Sequence, residues 1–356
     1  MADPYLQDDG RTLRNKLGIV NDPERLERRE IGFVVLRTAD LRTDGLPNVQ
    51  GFALLKAVHH QLFQDVYDWA GQARTTSLSK LNVEGEAART TFAAPDRIQA
   101  EVDAVFSKIA SQNGLRGLSA PDFAGRAAQH FSDLNGIHPF RDGNGRTQRI
   151  VWEHIARQAG HDLSFEPISR ERMISVLIAG SRGDLGPARR MFGELLDPER
   201  REALLTATRF LEGEHHKGSP VNWNDRYVAT TAPGQTYSGI YAGAGGKNFM
   251  LGTGDKIYIG KLDDLPGRGA GVRVGERPLF TAQGAPPEVA GDLWDKPATP
   301  MIERHRAFRE SMAAERAKKP AGVKPADSPE PQQPDERARQ EGRPASRASR
   351  SSDPSP

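Results

Sequence analysis

Cysteine is absent from this 356-residue chain, which excludes a disulfide framework and any thiolate metal site. No long apolar run occurs, so no membrane-spanning helix is expected. A net charge of +2 is small for this length and gives no basic field suited to a dedicated nucleic-acid binder. The first five residues lack a basic segment leading into an apolar one. Synthesis in a bacterial cytoplasm without a cleaved Sec signal is expected, with secretion into a recipient or host cell left open. A hydrophobic fraction of 37% is enough for two domains and a tail.

One run stands out: His138, Pro139, Phe140, Arg141, Asp142, Gly143, Asn144, Gly145, Arg146, Thr147, Gln148 and Arg149. Apolar residues at helical spacing precede it (Phe123, Ala124, Ala127, Ala128, Phe131, Leu134) and follow it (Ile150, Val151, Trp152, Ile155), so it joins two helices. Gly143 and Gly145 let the backbone turn tightly and approach an anion, and the helix starting near Asn144 aims its unpaired N–H groups at the same point. Arg146 and Arg149, three apart, share a helix face and can both reach outer phosphates. Asp142 suits Mg2+ bridging those phosphates, since a hard cation takes a carboxylate with phosphate and water oxygens. His138 can accept a hydroxyl proton near neutral pH. Phe140, between polar neighbours, reads as the loop's anchor in the core.

The pattern His-x-Phe-x-(Asp/Glu)-Gly-Asn-Gly-Arg-x-x-Arg is the signature of the Fic family, and the run resembles it at every fixed position. The length of the match outweighs the alternative of a Gly-rich helix cap beside a buried histidine. The resemblance implies transfer of AMP from Mg-ATP to a hydroxyl side chain of a target protein. His138 would be the general base and Asp142 the Mg2+ ligand. Gly143, Asn144 and Gly145 would form the anion hole, and Arg146 and Arg149 would be the phosphate cations. Asp142 stands where many relatives have Glu, and the shorter carboxylate stays within the family pattern. The intact Gly143-Asn144-Gly145 argues against the kinase-like branch. Transfer of UMP or phosphocholine stays open, because the motif fixes a pyrophosphate and not the group attached to it.

The fold class expected is mainly α: a Fic helical core with a β-hairpin flap, then a small OB-like β domain and a disordered tail. Helical periodicity runs over 51–69, 94–109, 120–134, 169–179, 187–196 and 198–214. Within the first, His59 and His60 read as structural, because no ligand partners stand at a useful spacing. Residues 73–81 read as an extended arm followed by a Gly- and Glu-bearing loop. In Fic proteins this position is the flap, which registers a target segment by β-augmentation, here between Thr76 and Leu81. Lys80 and Leu81 are counted with the nucleotide-binding residues on the same resemblance. Short β-type segments at 226–230, 237–242, 248–251 and 256–261 suggest a small antiparallel sheet or barrel. They resemble the OB-fold that follows the Fic domain in the Bartonella effector branch. The expected domains are 1–215, 220–285 and a charged tail at 300–356. The tail has too few apolar residues to offset its ordering entropy, apart from a short helix expected at 301–318.

Two further readings concern control and binding. Thr208-Arg209-Phe210-Leu211-Glu212-Gly213 fits the short inhibitory string of many Fic enzymes, in which Glu212 would pair with Arg149. The favoured reading is a plain connector into the β segment, with a separate small antitoxin as the brake. The alternative to an enzyme is a nucleic-acid or partner-binding module in which Tyr227, Tyr237, Tyr241 and Phe249 supply stacking rings. Asp255, Asp263 and Asp264 dilute the charge such a groove needs, so nucleic acid is ranked below a protein target. A toxin acting on bacterial proteins and a secreted, host-directed effector remain equal choices at this stage.

Overall fold

A computed structural model describes residues 3–81 and 89–284. The flap loop and the 300–356 tail, with its helix expected at 301–318, lie outside the described residues. Among the described residues eight α-helices carry the first part: α1 Pro23–Asp44, α2 Gly51–Phe63, α3 Ile98–Ser111, α4 Ala120–Ile137, α5 Asn144–Gln158, α6 Arg170–Ser181, α7 Gly186–Leu196 and α8 Pro198–His216. Their starts follow local chemistry. Asp22, Ser119, Ser169 and Asp197 each accept a backbone N–H from the first turn of α1, α4, α6 and α8 respectively. No helix among the described residues is long and apolar enough to cross a membrane.

Helices α1 to α7 share one core, in which α5 packs on α2, α4 on α7, and α4 and α5 on each other, while α8 packs its buried residues with β3 and β7. Behind the α4–α5 junction Phe131 and Trp152 both meet the Phe192 ring edge-on, at 5.6 and 5.9 Å. This packing fixes the two helices that flank the signature loop. Between α2 and α3 the chain forms a hairpin of β1 Ser79–Leu81 and β2 Arg89–Thr91, antiparallel with Lys80 opposite Thr90. The paired stretch is shorter than the extended arm expected over 73–81, because Arg74 is drawn into the core.

Among the described residues six strands follow α8: β3 Tyr227–Thr230, β4 Thr236–Ser238, β5 Ile240–Gly245, β6 Asn248–Thr253, β7 Lys256–Lys261 and β8 Leu279–Thr281. A four-stranded sheet runs β3-β7-β6-β5 with β3 and β7 parallel, and β4 pairs with β8. The strand expected over 237–242 is broken at Gly239, where a Cβ would press into the Gly252 carbonyl at 2.6 Å. The rings of Tyr237, Tyr241 and Phe249 are buried with Phe280 inside this unit, so they are not a stacking surface.

The outer edge of β3 lies on the helical core. Buried Glu194 accepts from Arg172 at 3.0 Å, Arg190 at 2.9 Å and the Thr230 N–H at 3.1 Å. Burial alone would raise the pKa of Glu194, but Arg172, Arg190 and Arg200 outweigh it and hold the carboxyl below its usual value. Arg190 and Arg200 also donate to the Thr230 and Thr231 carbonyls. Side chains of α6, α7 and α8 thus satisfy the backbone of an edge strand that would otherwise be open.

Candidate active site

The site is built on the sharp stop of α4. His138 adopts a left-handed backbone (φ 53°, ψ 65°), and its N–H bonds the Leu134 carbonyl at 3.1 Å, which ends the helix. This conformation is costly for a residue with a side chain and needs outside support. The buried Arg74 supplies it, donating to the His138 carbonyl at 2.8 Å. The imidazole stacks on Phe92, ring centroids 4.0 Å apart. Burial pushes its pKa well below 6.5, with Lys80 and Arg74 adding to the shift and the Asn135 carbonyl opposing it. The ring is therefore neutral at physiological pH and able to accept a proton.

The loop itself is braced from within. Phe140 is fully buried and stacks on His59 at 3.9 Å, which fits the anchor role expected of it. Asn144 brackets it: its Oδ1 accepts the Phe140 N–H at 2.9 Å, and its Nδ2 donates to the Phe140 carbonyl at 2.8 Å. The side chain of Asn144 is thus a strut, and only its backbone N–H is available to an anion. His59 is a brace as well. Its Nδ1 accepts the Gly71 N–H at 2.8 Å, so the ring proton sits on Nε2, which donates to the Asp142 carbonyl at 3.0 Å. Burial lowers its pKa to about 4, which keeps this tautomer neutral.

Gly143 makes the turn into α5, with φ 78°. A Cβ there would collide with the Phe63 ring and lie 3.2 Å from His59 Nε2. Gly145 has a different task from the turning role expected of it. It lies in the first turn of the helix at negative φ, exposed, and a Cβ would meet nothing within 4 Å. No side chain caps α5, and the first intrahelical bond is Thr147 N–H to the Gly143 carbonyl at 3.0 Å. The N–H groups of Asn144, Gly145 and Arg146 precede that bond and have no intrahelical partner, and the space beside Gly145 is open. These N–H groups lie at the positive end of a 15-residue helix, an arrangement chemically suited to an anion.

Charges surround it. Arg146 pairs with Glu30 of α1, lies over the Phe63 ring at 4.8 Å, and stands 3.7 Å from the Asp142 carboxylate. The Arg149 guanidinium forms no hydrogen bond or ion pair with the described residues. Burial lowers its pKa, as does Arg146 beside it, while Glu153 opposes. Asp142 accepts the Gly143 N–H at 2.7 Å and keeps a side chain that is 43% exposed. No cluster of three His, Asp or Glu able to hold a metal exists among the described residues. A cation at Asp142 would need oxygens from a bound polyanion, which fits Mg2+ arriving with phosphates.

The expected residues thus fall into one region, apart from two. Lys80 is exposed on β1, near enough to affect His138, and Leu81 follows it opposite Arg89. Sequence reasoning missed Glu30, Arg74 and the bracing role of His59. Glu212 is exposed on α8 and forms no ion pair with Arg149 among the described residues. The geometry therefore agrees with the connector reading of that segment.

Comparison with known proteins decides the family. The model of the Fic/DOC family matches residues 52–156. The chain is 34% identical over 198 residues to "Probable protein adenylyltransferase Fic" of Salmonella typhimurium, covering 56% of this chain and 94% of that protein. The chain belongs to the Fic/DOC family. Fic similarity also extends beyond the core: a "Protein adenylyltransferase" of Bartonella henselae is 34% identical over 292 residues, 78% of this chain and 52% of that protein. The chain thus spans about half the length of that relative. Among solved structures, "Type IV secretion system effector protein BepA" superposes with a TM-score of 0.70 at 33% identity, covering 79% of this chain and 96% of that one.

Proposed function

We propose that this chain is a protein adenylyltransferase that moves AMP from ATP to a hydroxyl side chain of a target protein. The observation that carries the reading is the uncapped N-terminus of α5, open above Gly145 and flanked by Arg146, Arg149 and the exposed Asp142 carboxylate. It suits the polyphosphate of a nucleotide. His138, neutral and adjacent in the chain, takes the proton of the target hydroxyl as its oxygen bonds to the α-phosphorus. The bond from that phosphorus to the bridging oxygen breaks, and pyrophosphate leaves. Asn144, Gly145 and Arg146 offer backbone N–H groups to phosphate, and the two guanidinium groups offset its charge. Asp142 would hold Mg2+, which when bound supplies further charge neutralisation. Lys80 and Leu81 border the nucleotide from the flap, along which the target segment adds as an extended strand.

The Fic part is proposed to occupy 1–215 and the OB-like part 220–285, with 300–356 as a separate tail. The likeness to BepA supports an effector delivered into a recipient cell over a toxin held in the producing one, with a small antitoxin as its brake before delivery. Incubation of the full chain and a cell lysate with labelled ATP tests the activity. Label from α-32P-ATP should join protein and label from γ-32P-ATP should not; the reverse pattern would identify a kinase and overturn the reading.

A further inference from the structure

Arg74 is 1% exposed and forms no ion pair with a carboxylate among the described residues. Instead, four of its five N–H groups donate to backbone carbonyls: Nε to His138 at 2.8 Å, Nη1 to Thr76 at 2.7 Å, and Nη2 to Ala93 at 2.5 Å and Ile137 at 3.1 Å. Its own backbone N–H bonds the Pro139 carbonyl at 2.8 Å.

These acceptors come from three places in the chain. Thr76 lies just ahead of β1, Ala93 just after β2, and Ile137 and His138 form the end of α4. The charge is placed where a cation is favoured, against the carbonyl end of an 18-residue helix. Two more contacts cross the same seam: the Ala93 N–H bonds the Gly136 carbonyl at 3.3 Å, and the Phe92 ring lies on the His138 imidazole. Both ends of the flap are thus tied to the residue that ends α4 in a left-handed turn. The α5 N-terminus is braced by other groups, namely Asn144, His59 and Glu30.

We propose that Arg74 is a positioning residue that locks the β1–β2 flap to His138, and so sets where a segment lying on the flap stands relative to the base. The proposal rests on the adenylyltransferase reading for its catalytic consequence, but its structural half stands apart from it. A single side chain bonding both flap ends and the His138 carbonyl couples two elements that otherwise share, among the described residues, only the Ala93–Gly136 hydrogen bond and the Phe92–His138 stack. Loss of that coupling displaces the hydroxyl from the imidazole without touching the phosphate site, and a misplacement of about 1 Å costs on the order of a hundredfold in rate.

The test uses the full chain with Arg74→Lys, which keeps the charge and loses most of the fork of bonds, and Arg74→Met, which loses both. Hydrogen exchange at Phe92 and Ala93 should speed by about tenfold or more in Arg74→Lys, with exchange in α5 unchanged. Binding of Mg-ATP by calorimetry should stay within about twofold, while AMP transfer falls by roughly ten- to a hundredfold. Arg74→Met should lose more of each. Flap exchange like the parent's would overturn the proposal, and so would parallel loss of nucleotide binding and α5 protection, which marks a general stability role. Should neither variant fold, native-state exchange of the parent decides: the amides of Phe92, Ala93 and His138 should open together, and independent opening would overturn the coupling. If the parent transfers no AMP, the exchange results still decide the coupling, and only the functional reading fails.

Discussion

Glu30 of α1 and Arg146 of α5, 116 residues apart, form an ion pair beside the N-terminus of α5, and Tyr67 donates its hydroxyl to the same carboxylate. Burial raises the pKa of Glu30 and Arg146 opposes the rise. The pair holds one guanidinium edge and leaves the rest of the fork for a ligand. Glu30→Gln removes the charge at nearly constant shape, so Arg146 loses its fixed orientation. Binding of Mg-ATP, measured by calorimetry, should weaken by roughly five- to thirtyfold, equivalent to about 1–2 kcal/mol. Tighter binding would instead show that Glu30 competes with phosphate for the arginine.

The two glycines of the loop separate fold from ligand. Gly143→Ala places a Cβ at positive φ against the Phe63 ring and should cost about 1–3 kcal/mol in urea unfolding. Gly145→Ala meets no protein atom within 4 Å, so stability should be retained while its methyl crowds the anion and Mg-ATP affinity falls. Equal effects at both positions in unfolding and binding would remove the distinction.

His138 gives a pH dependence with a definite sign. Its folded pKa lies well below 6.5 because of burial, so the imidazole remains unprotonated as pH falls through 6.5. The rate of AMP transfer should be flat from pH 8 to 6.5 and decline only below that. The same shift makes its contribution to stability full above pH 6.5 and progressively lost beneath it, where only the unfolded chain takes up the proton. A transfer rate with its midpoint at or above pH 6.5 would contradict the buried, neutral ring.

The motif run was legible in the sequence because its groups are contiguous: histidine, carboxylate, turn glycine and arginines follow each other within twelve residues. Helices α2 to α8 were legible from apolar spacing, and the β segments from their turn residues. Glu30, Arg74 and His59 were not, since each acts through a partner 64 to 116 positions away. Nothing in their local spacing distinguishes Arg74 from a solvated arginine or His59 from a core histidine. The strand break at Gly239 was hidden for the same reason, because the carbonyl that excludes a side chain there belongs to Gly252.

Position 212 offers a check on regulation. Glu212 is exposed and unpaired with Arg149, so Glu212→Gly removes no brake and costs only helix propensity, about 1 kcal/mol. Self-labelling with α-32P-ATP should equal the parent's. A marked rise would mean that the segment from Thr208 to Gly213 restrains the enzyme through another arrangement of α8.

The most direct test is the rate of AMP transfer by His138→Ala at saturating Mg-ATP, paired with calorimetry of nucleotide binding. The imidazole is stacked on Phe92 and takes no part in the phosphate site proposed at the α5 N-terminus, so Mg-ATP affinity should persist. Transfer should fall by about a hundred- to ten-thousandfold, the usual loss when a positioned base is removed. Transfer at the parent's rate by this variant would contradict the assignment of His138 as the base.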